Sequence, residues 1–141
     1  MSSAIHTFPK EYIDLKKEEF KSRYKENTLG CHIWTGALGG KRSYDGGSRY
    51  VVVKFTHPFT KKKTVLNSHV VSFFFHTGLL PSKPEGIEIS HICNKSSCIN
   101  PEHLSREPHV VNAERTRCVS RRLCLGHDSY PDCLFLTKPI E

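Results

Sequence analysis

Residues 90–104, with the sequence SHICNKSSCINPEHL, are the most informative stretch of this 141-residue chain. They place Cys93, Cys98 and His103 at the even spacing Cys-x4-Cys-x4-His. Thiolates and an imidazole at such spacing are typical ligands of a tetrahedral Zn²⁺ ion. His91 lies two residues before the first of these cysteines, too close to join the same tetrahedron comfortably. A histidine held next to a zinc-bound loop is therefore a candidate general base.

The six cysteines of the chain predict two zinc sites. The N-terminal residues contain no apolar segment typical of a secretory signal, so metal ligation is favoured over disulfides. An intracellular location, nuclear in a eukaryote, is expected. Three disulfides in an exported protein are the alternative. The predicted ligands are Cys31, Cys93, Cys98 and His103 for the first ion, and Cys118, Cys124, His127 and Cys133 for the second.

The positive charge of the chain is concentrated in one segment. The formal net charge is +7, and residues 41–63 carry seven basic side chains against the single acidic Asp45. Such a basic excess favours a polyanionic partner, most often nucleic acid, although a solvated face is the simpler alternative. No apolar run is long enough to span a membrane, so no membrane contact is expected. The candidate DNA contacts are Lys41, Arg42, Arg49, Lys54, Lys61, Lys62 and Lys63.

The pattern of apolar and turn residues predicts one small domain with few helices. Residues 1–9 are expected to form a flexible arm, and residues 10–28 a helix with apolar side chains at helical spacing. A β-forming stretch from Arg49 predicts a basic hairpin over residues 49–66, with the lysine triplet at its tip. The remaining expectations are a helix over 68–78, a strand over 87–91, a return strand at Leu104, a helix over 105–117 capped by Ser105, and a metal-bound tail over 118–141.

The order of strand, histidine, zinc loop, strand and helix resembles the ββα-metal, or His-Me finger, nucleases. More narrowly, SHIC-x4-CINPEHL followed by NAER is similar to the His-Cys box homing endonucleases. The likeness covers about residues 31–133 and is tightest over 90–112, while the spacing of the second Cys/His set departs from the family pattern. It implies a zinc-stabilised α+β fold forming a single nuclease domain over residues 1–141, with a core over 31–117 and the ββα motif over 87–117.

The resemblance also implies roles for individual side chains. His91 matches the general base of the family, and Asn112 matches its divalent-metal ligand on the following helix. Mg²⁺ prefers oxygen ligands and keeps several waters, so an asparagine carbonyl with phosphate oxygens is a plausible set. Arg49 falls near a transition-state-stabilising arginine, with a plain phosphate contact as the alternative. His109 is a minor rival near the metal.

Two functions from different classes fit these observations. The first is a Mg²⁺-dependent endonuclease with two structural Zn²⁺ ions, acting on double-stranded DNA as a homodimer. Its basic hairpin would enter the major groove, which admits a two-stranded ribbon, and the apolar residues 134–136 would reach the partner subunit. The second is a zinc-stabilised DNA-binding module without cleavage, which does not need His91 or Asn112.

Overall fold

The computed structural model describes residues 8–35, 43–45, 48–50, 52–95 and 97–136, with backbone alone for 43–45 and 48–50. This part of the chain has a small α+β fold, as predicted, in which successive strands pair antiparallel as four two-stranded sheets. A short 3-10 helix, Pro101–His103, precedes the last strand. The helices are α1 (Lys10–Lys21), α2 (Ser68–Thr77) and α3 (His109–Arg121), and the strands are β1 (Tyr24–Glu26), β2 (His32–Trp34), β3 (Ser43–Asp45), β4 (Ser48–Tyr50), β5 (Val52–Thr56), β6 (Lys63–Asn67), β7 (Ile87–His91) and β8 (Leu104–Pro108).

The N-terminal region differs from the expectation in two respects. Helix α1 ends at Lys21 and not at residue 28, because the next residues form β1, which pairs with β2. Gly30, at φ +84°, lies in the turn between these two strands. Phe8 was expected in a flexible arm, but it is buried and its ring lies 5.9 Å from that of Phe55. The rest of the predicted arm, residues 1–7, lies outside the described residues.

The basic segment folds as two hairpins, where one was predicted. Strands β5 and β6 form the expected hairpin, in which Thr56 pairs with Lys63. Arg49 was placed in this hairpin, but it lies in β4, which pairs with β3 through the register Tyr44 to Arg49. The sequence Asp-Gly-Gly-Ser at residues 45–48 is a strong signal for a tight hairpin turn, and it separates these two strands.

The ββα motif follows the predicted order with a shifted helix. Strand β7 pairs with β8 from Ile87–Pro108 to His91–Leu104. Ser105 was expected to cap the helix, but it lies within β8, and α3 begins only at His109. The backbone of Pro108 is extended, with ψ 151°, so the strand continues up to the first helical residue. The motif therefore covers residues 87–121.

Helix α2 holds the apolar core together. Its Val71 packs in a cluster with Phe20, Phe55 and Ile99, while Val70 and Phe73 pack in a second cluster with Ile89 and Leu104. The first cluster joins α1 to the β5–β6 hairpin, and the second joins α2 to the ββα motif. The helix ends at Gly78, whose φ of +79° suits glycine. Two small aromatic and aliphatic clusters are a lean core, which makes the Cys/His clusters important for stability.

Candidate metal centres and nuclease site

The structure brings the first predicted ligand set together as cluster 1, which consists of Cys31, Cys93, Cys98 and His103. Their ligand atoms all lie within 4.8 Å of one another. The Nδ1 atom of His103 lies 3.5 Å from the Sγ atom of Cys31 and 3.6 Å from that of Cys98. A tetrahedral zinc ion with ordinary bond lengths requires a sulfur–nitrogen distance of roughly 3.6 Å. Cluster 1 therefore fits a structural Zn²⁺ ion.

The loops around cluster 1 hold its ligands by local hydrogen bonds. The side-chain oxygen of Asn27 accepts from the backbone N–H of Cys31 at 2.9 Å. Asn100 donates from its side chain to the carbonyl of Gly30 at 2.8 Å and from its backbone to Cys98 Sγ at 3.4 Å. Hydrogen bonds from Cys93 and from this backbone N–H lower the pKa of Cys98 to about 5. The cluster thus joins the turn before β2 to the loop between β7 and β8.

The second predicted set forms cluster 2, which consists of Cys118, Cys124, His127 and Cys133. Here the Nε2 atom of His127 lies 3.5–3.7 Å from the three sulfur atoms, which again fits tetrahedral zinc. The other ring nitrogen, Nδ1, lies 2.9 Å from Oε1 of Glu114. A carboxylate that orients a zinc-bound histidine is a common outer partner in zinc sites. The two clusters support two structural zinc ions, and none of the six cysteines, which all lie in the described part of the chain, forms a disulfide.

A buried ion pair connects cluster 2 to strand β8. Arg115 of α3 contacts both carboxylate oxygens of Glu107 in β8 at 2.6 and 2.7 Å. It also donates to Cys133 Sγ at 3.4 Å and to the Pro131 carbonyl at 2.8 Å. Burial alone would raise the pKa of Glu107, but the hydrogen bonds from Arg115 lower it below its usual value. This pair was not predicted, because no spacing in the sequence links the two residues.

His91 lies at the end of β7, between the zinc loop and helix α2. Its Nε2 atom is 3.1 Å from the carbonyl oxygen of Cys98, and its ring centroid is 4.2 Å from that of His69. Because a carbonyl only accepts, Nε2 carries the proton and Nδ1 is the basic nitrogen of the neutral ring. Burial lowers the pKa of His91 to about 4, and it also lowers the pKa of His69 well below its usual value. The imidazole is therefore neutral near pH 7, the form that can accept a proton.

Asn112 lies on α3 beside the carboxylate of Glu88, a residue that no spacing in the sequence indicates. Its Nδ2 atom donates to Oε1 of Glu88 at 2.6 Å, and Nδ1 of His109 lies 2.7 Å from Oε2 of the same side chain. Asn112 and Glu88 line a cleft that also includes His69, the ring packed against His91. The amide carbonyl and the carboxylate are oxygen donors of the type that suits Mg²⁺.

The predicted DNA contacts are distributed over both basic hairpins. Lys61, Lys62 and Lys63 are exposed at the end of the β5–β6 hairpin, and Lys54 is half-buried within β5. Phe59, in the turn of this hairpin, is 78% exposed. Arg49 lies in β4, where the structure gives the backbone alone. Lys41 and Arg42 lie outside the described residues.

The apolar tail packs on its own chain as far as the structure describes it. The backbone N–H of Leu134 donates to the Ile92 carbonyl at 2.7 Å, and the ring of Phe135 lies 5.7 Å from that of His103. Leu136 packs against the cysteines of cluster 2. Residues 134–136 therefore link the two clusters within one chain, and their predicted contact with a partner subunit stays a prediction. The last five residues lie outside the described part.

These features define a small zinc-stabilised α+β protein with a ββα motif. The family model for the zinc-binding loop region of homing endonucleases matches residues 41–137. The chain belongs to this family, because the match covers more than half of its length. Cluster 2 and three ligands of cluster 1 fall inside the matched region, and Cys31 lies before it.

No curated protein and no solved structure matches the chain. Within the described residues, none of the helices combines the length and the apolar character needed to cross a membrane. Family membership supports a nuclease-like role on DNA.

Proposed function

We propose that this chain is a Mg²⁺-dependent endonuclease that hydrolyses phosphodiester bonds in double-stranded DNA. The observation that carries the proposal is the setting of His91 at the end of β7. The carbonyl of Cys98, a residue of cluster 1, fixes the ring through Nε2 and leaves Nδ1 as the basic nitrogen. The ring packs against His69, which lines the same cleft as the oxygen donors of Glu88 and Asn112.

In this proposal His91 accepts a proton from water at Nδ1 while the water oxygen forms a bond to phosphorus. The bond from phosphorus to the leaving sugar oxygen breaks, and that oxygen takes a proton from solvent. When bound, Mg²⁺ would stabilise negative charge on the non-bridging and leaving oxygens. Asn112 would hold the ion through its carbonyl oxygen, and Arg49 would contact the phosphate. The two zinc ions would have structural roles, since protein ligands fill all four positions of each site.

Replacement of His91 by alanine tests the chemistry. Cleavage of plasmid DNA in the presence of Mg²⁺ should fall by about 10²–10⁴-fold, the usual cost of losing a general base. Zinc content and DNA affinity should stay near those of the unchanged protein, because His91 belongs to neither cluster. His76→Ala, an exposed histidine at the end of α2, is the matched control and should cut normally. If His91→Ala cuts as well as the unchanged protein, His91 is not the base.

The same assay distinguishes the enzyme from a DNA-binding module. A protein that binds duplex DNA but does not cut it with any divalent cation would establish the binding module and reject the endonuclease. The unchanged protein, with zinc bound and verified by elemental analysis, is sufficient for this comparison.

The β5–β6 hairpin is the proposed DNA-binding surface. Its three exposed lysines would neutralise phosphates, so DNA affinity should fall steeply with rising salt. Replacing Lys61, Lys62 and Lys63 with alanine should flatten that dependence. Lys25→Ala, an exposed lysine of β1, serves as the control and should leave the slope unchanged. An unchanged slope in the triple variant would mean that DNA binds elsewhere.

A homodimer is part of the proposal, because two symmetric active sites can cut the two strands of a duplex. The resemblance of the sequence to homing endonucleases supports this part of the proposal. Sedimentation analysis at several protein concentrations, with and without duplex DNA, measures the oligomeric state. A chain that stays monomeric on DNA while still cutting both strands would reject this part.

A further inference from the structure

We infer that Glu88 is a positioning residue that orients Asn112 for the divalent cation, an inference that rests on the proposed function. Glu88 lies in β7, three residues before His91, and its side chain is 37% exposed. Each of its two carboxylate oxygens has a different partner on α3. One oxygen contacts Asn112 at 2.6 Å and the other contacts His109 at 2.7 Å.

The hydrogen bond decides which end of the Asn112 amide is presented to a ligand. A carboxylate only accepts hydrogen bonds, so the amide must turn its NH₂ group toward Glu88. The carbonyl oxygen Oδ1 then points to the other side of the amide group. Oxygen and not nitrogen is the donor that Mg²⁺ requires. Without Glu88 the amide could rotate by half a turn and present the NH₂ group, which cannot bind a cation.

The second contact of Glu88 fixes the carboxylate itself. His109 is the first residue of α3, and Asn112 lies three residues later on the same helix face. The backbone N–H of His109 also donates to the Gly86 carbonyl at 2.8 Å, which attaches the start of α3 to the residue before β7. Glu88 is therefore held by two side chains one helical turn apart, so that strand β7 sets the orientation of a residue on α3.

Glu88 also adds a negative charge that a neutral asparagine lacks. Carboxylates that hydrogen-bond to metal ligands typically change metal affinity by about 10- to 100-fold when they are removed. The effect should pass through Asn112, because the carboxylate contacts the amide directly. If Glu88 acts only through Asn112, replacing it should not change metal affinity once Asn112 has been replaced. A double variant therefore tests the positioning role.

The experiment measures Mn²⁺ binding by the paramagnetic signal of the free ion, with zinc-loaded protein on a duplex oligonucleotide at low salt. Mn²⁺ serves as the probe for the Mg²⁺ site and needs no cleavage. Glu88→Ala, which removes the acceptor of the Asn112 hydrogen bond, should weaken Mn²⁺ binding by about 10-fold or more, and Asn112→Ala should weaken it at least as much. The double variant should bind no more weakly than Asn112→Ala alone. His109→Ala, which removes the other partner of Glu88, should have a smaller effect. The zinc content and the thermal melting temperature of each variant are measured to exclude misfolding.

Three other results of this experiment would reject the positioning role of Glu88. If Asn112→Ala weakens Mn²⁺ binding and Glu88→Ala does not, the positioning role is rejected while the metal site of the proposed function stands. If the two losses add in the double variant, Glu88 binds the cation directly and the positioning role is again rejected. If neither variant changes Mn²⁺ binding, both the role of Glu88 and the proposed metal site are wrong.

Discussion

Cluster 1 and cluster 2 have the same chemistry, three cysteines and one histidine, but they act on the fold at different ranges. Cys31 and His103 of cluster 1 are 72 residues apart, whereas all four ligands of cluster 2 lie within residues 118–133. A link that closes a long loop removes more freedom from the unfolded chain than a link within a short one. Cluster 1 should therefore determine whether the domain folds, and cluster 2 should organise the C-terminal region.

The two clusters also differ in how they are connected to the candidate active site. Cluster 1 contains Cys98, whose carbonyl orients His91 directly. Cluster 2 takes Cys118 from helix α3 and is linked to β8 through Arg115, while Glu114 orients its histidine. Cluster 1 therefore fixes a backbone carbonyl that contacts the His91 ring, although His91 is not one of its ligands.

The largest expected effect comes from removing one ligand of each cluster in turn. Cys98 and Cys124 are both completely buried, so Cys98→Ala and Cys124→Ala remove equivalent side chains. Each variant should contain one zinc ion per chain instead of two, by elemental analysis. Binding of structural zinc is worth about 10–16 kcal/mol in small zinc domains, comparable with the whole stability of a domain. Cys98→Ala should therefore unfold the ββα motif and abolish cleavage.

Cys124→Ala, the variant of cluster 2, should lose less of the folded structure than Cys98→Ala. In Cys124→Ala the pairing of β7 with β8 should persist, and hydrogen exchange should increase mainly in residues 118–136. If Cys124→Ala exchanges throughout the chain as fast as Cys98→Ala does, the distinction between a long-range and a local zinc site is wrong.

The next effect concerns the buried ion pair that joins cluster 2 to β8. Arg115→Ala leaves Glu107 buried without its cation and should reduce the free energy of unfolding by about 3–5 kcal/mol. Urea denaturation in the presence of zinc measures this change. Arg117→Ala, an exposed arginine on the same helix, should change stability very little. Replacing Arg115 and Glu107 together with leucine should recover most of the loss, because no unpaired charge remains. A small loss in Arg115→Ala would show that the ion pair does not couple the two regions.

The smallest expected effect is a weaker zinc affinity at cluster 2 with no change at cluster 1. Glu114→Gln replaces the carboxylate that orients His127 and should weaken zinc binding at cluster 2 by about 10- to 100-fold. Titration with a chelator should then show two steps of zinc release, with cluster 1 unchanged. Glu102→Gln, an exposed acidic residue next to His103, is the control and should leave both affinities unchanged. Equal release from both clusters in Glu114→Gln would contradict the role of the carboxylate.

Spacing predicted the ligand sets because cysteine and histidine have few other uses at such density. Cys31 was assigned to its ligand set only by counting the cysteines and histidines of the chain. In the structure its Sγ atom lies 3.5 Å from Nδ1 of His103. The position of His91 before Cys93 also singled out that histidine, and the family resemblance indicated Asn112; their catalytic roles stay predictions. Ser105 was misplaced because a serine before a polar segment predicts a helix cap, while pairing with Ser90 keeps it in a strand. Arg49 was misplaced because β propensity does not say where one hairpin ends and the next begins.

The sequence by itself determined the family, the α+β class and two sets of four zinc ligands, because these depend on residue types and spacings along the chain. Tertiary structure alone decided the partners that these residues meet: Glu88 beside Asn112, His69 against His91, and Glu107 paired with Arg115. These contacts join residues of different elements. No local propensity or periodicity encodes them, because they arise only when α2 and α3 pack with the β7–β8 hairpin.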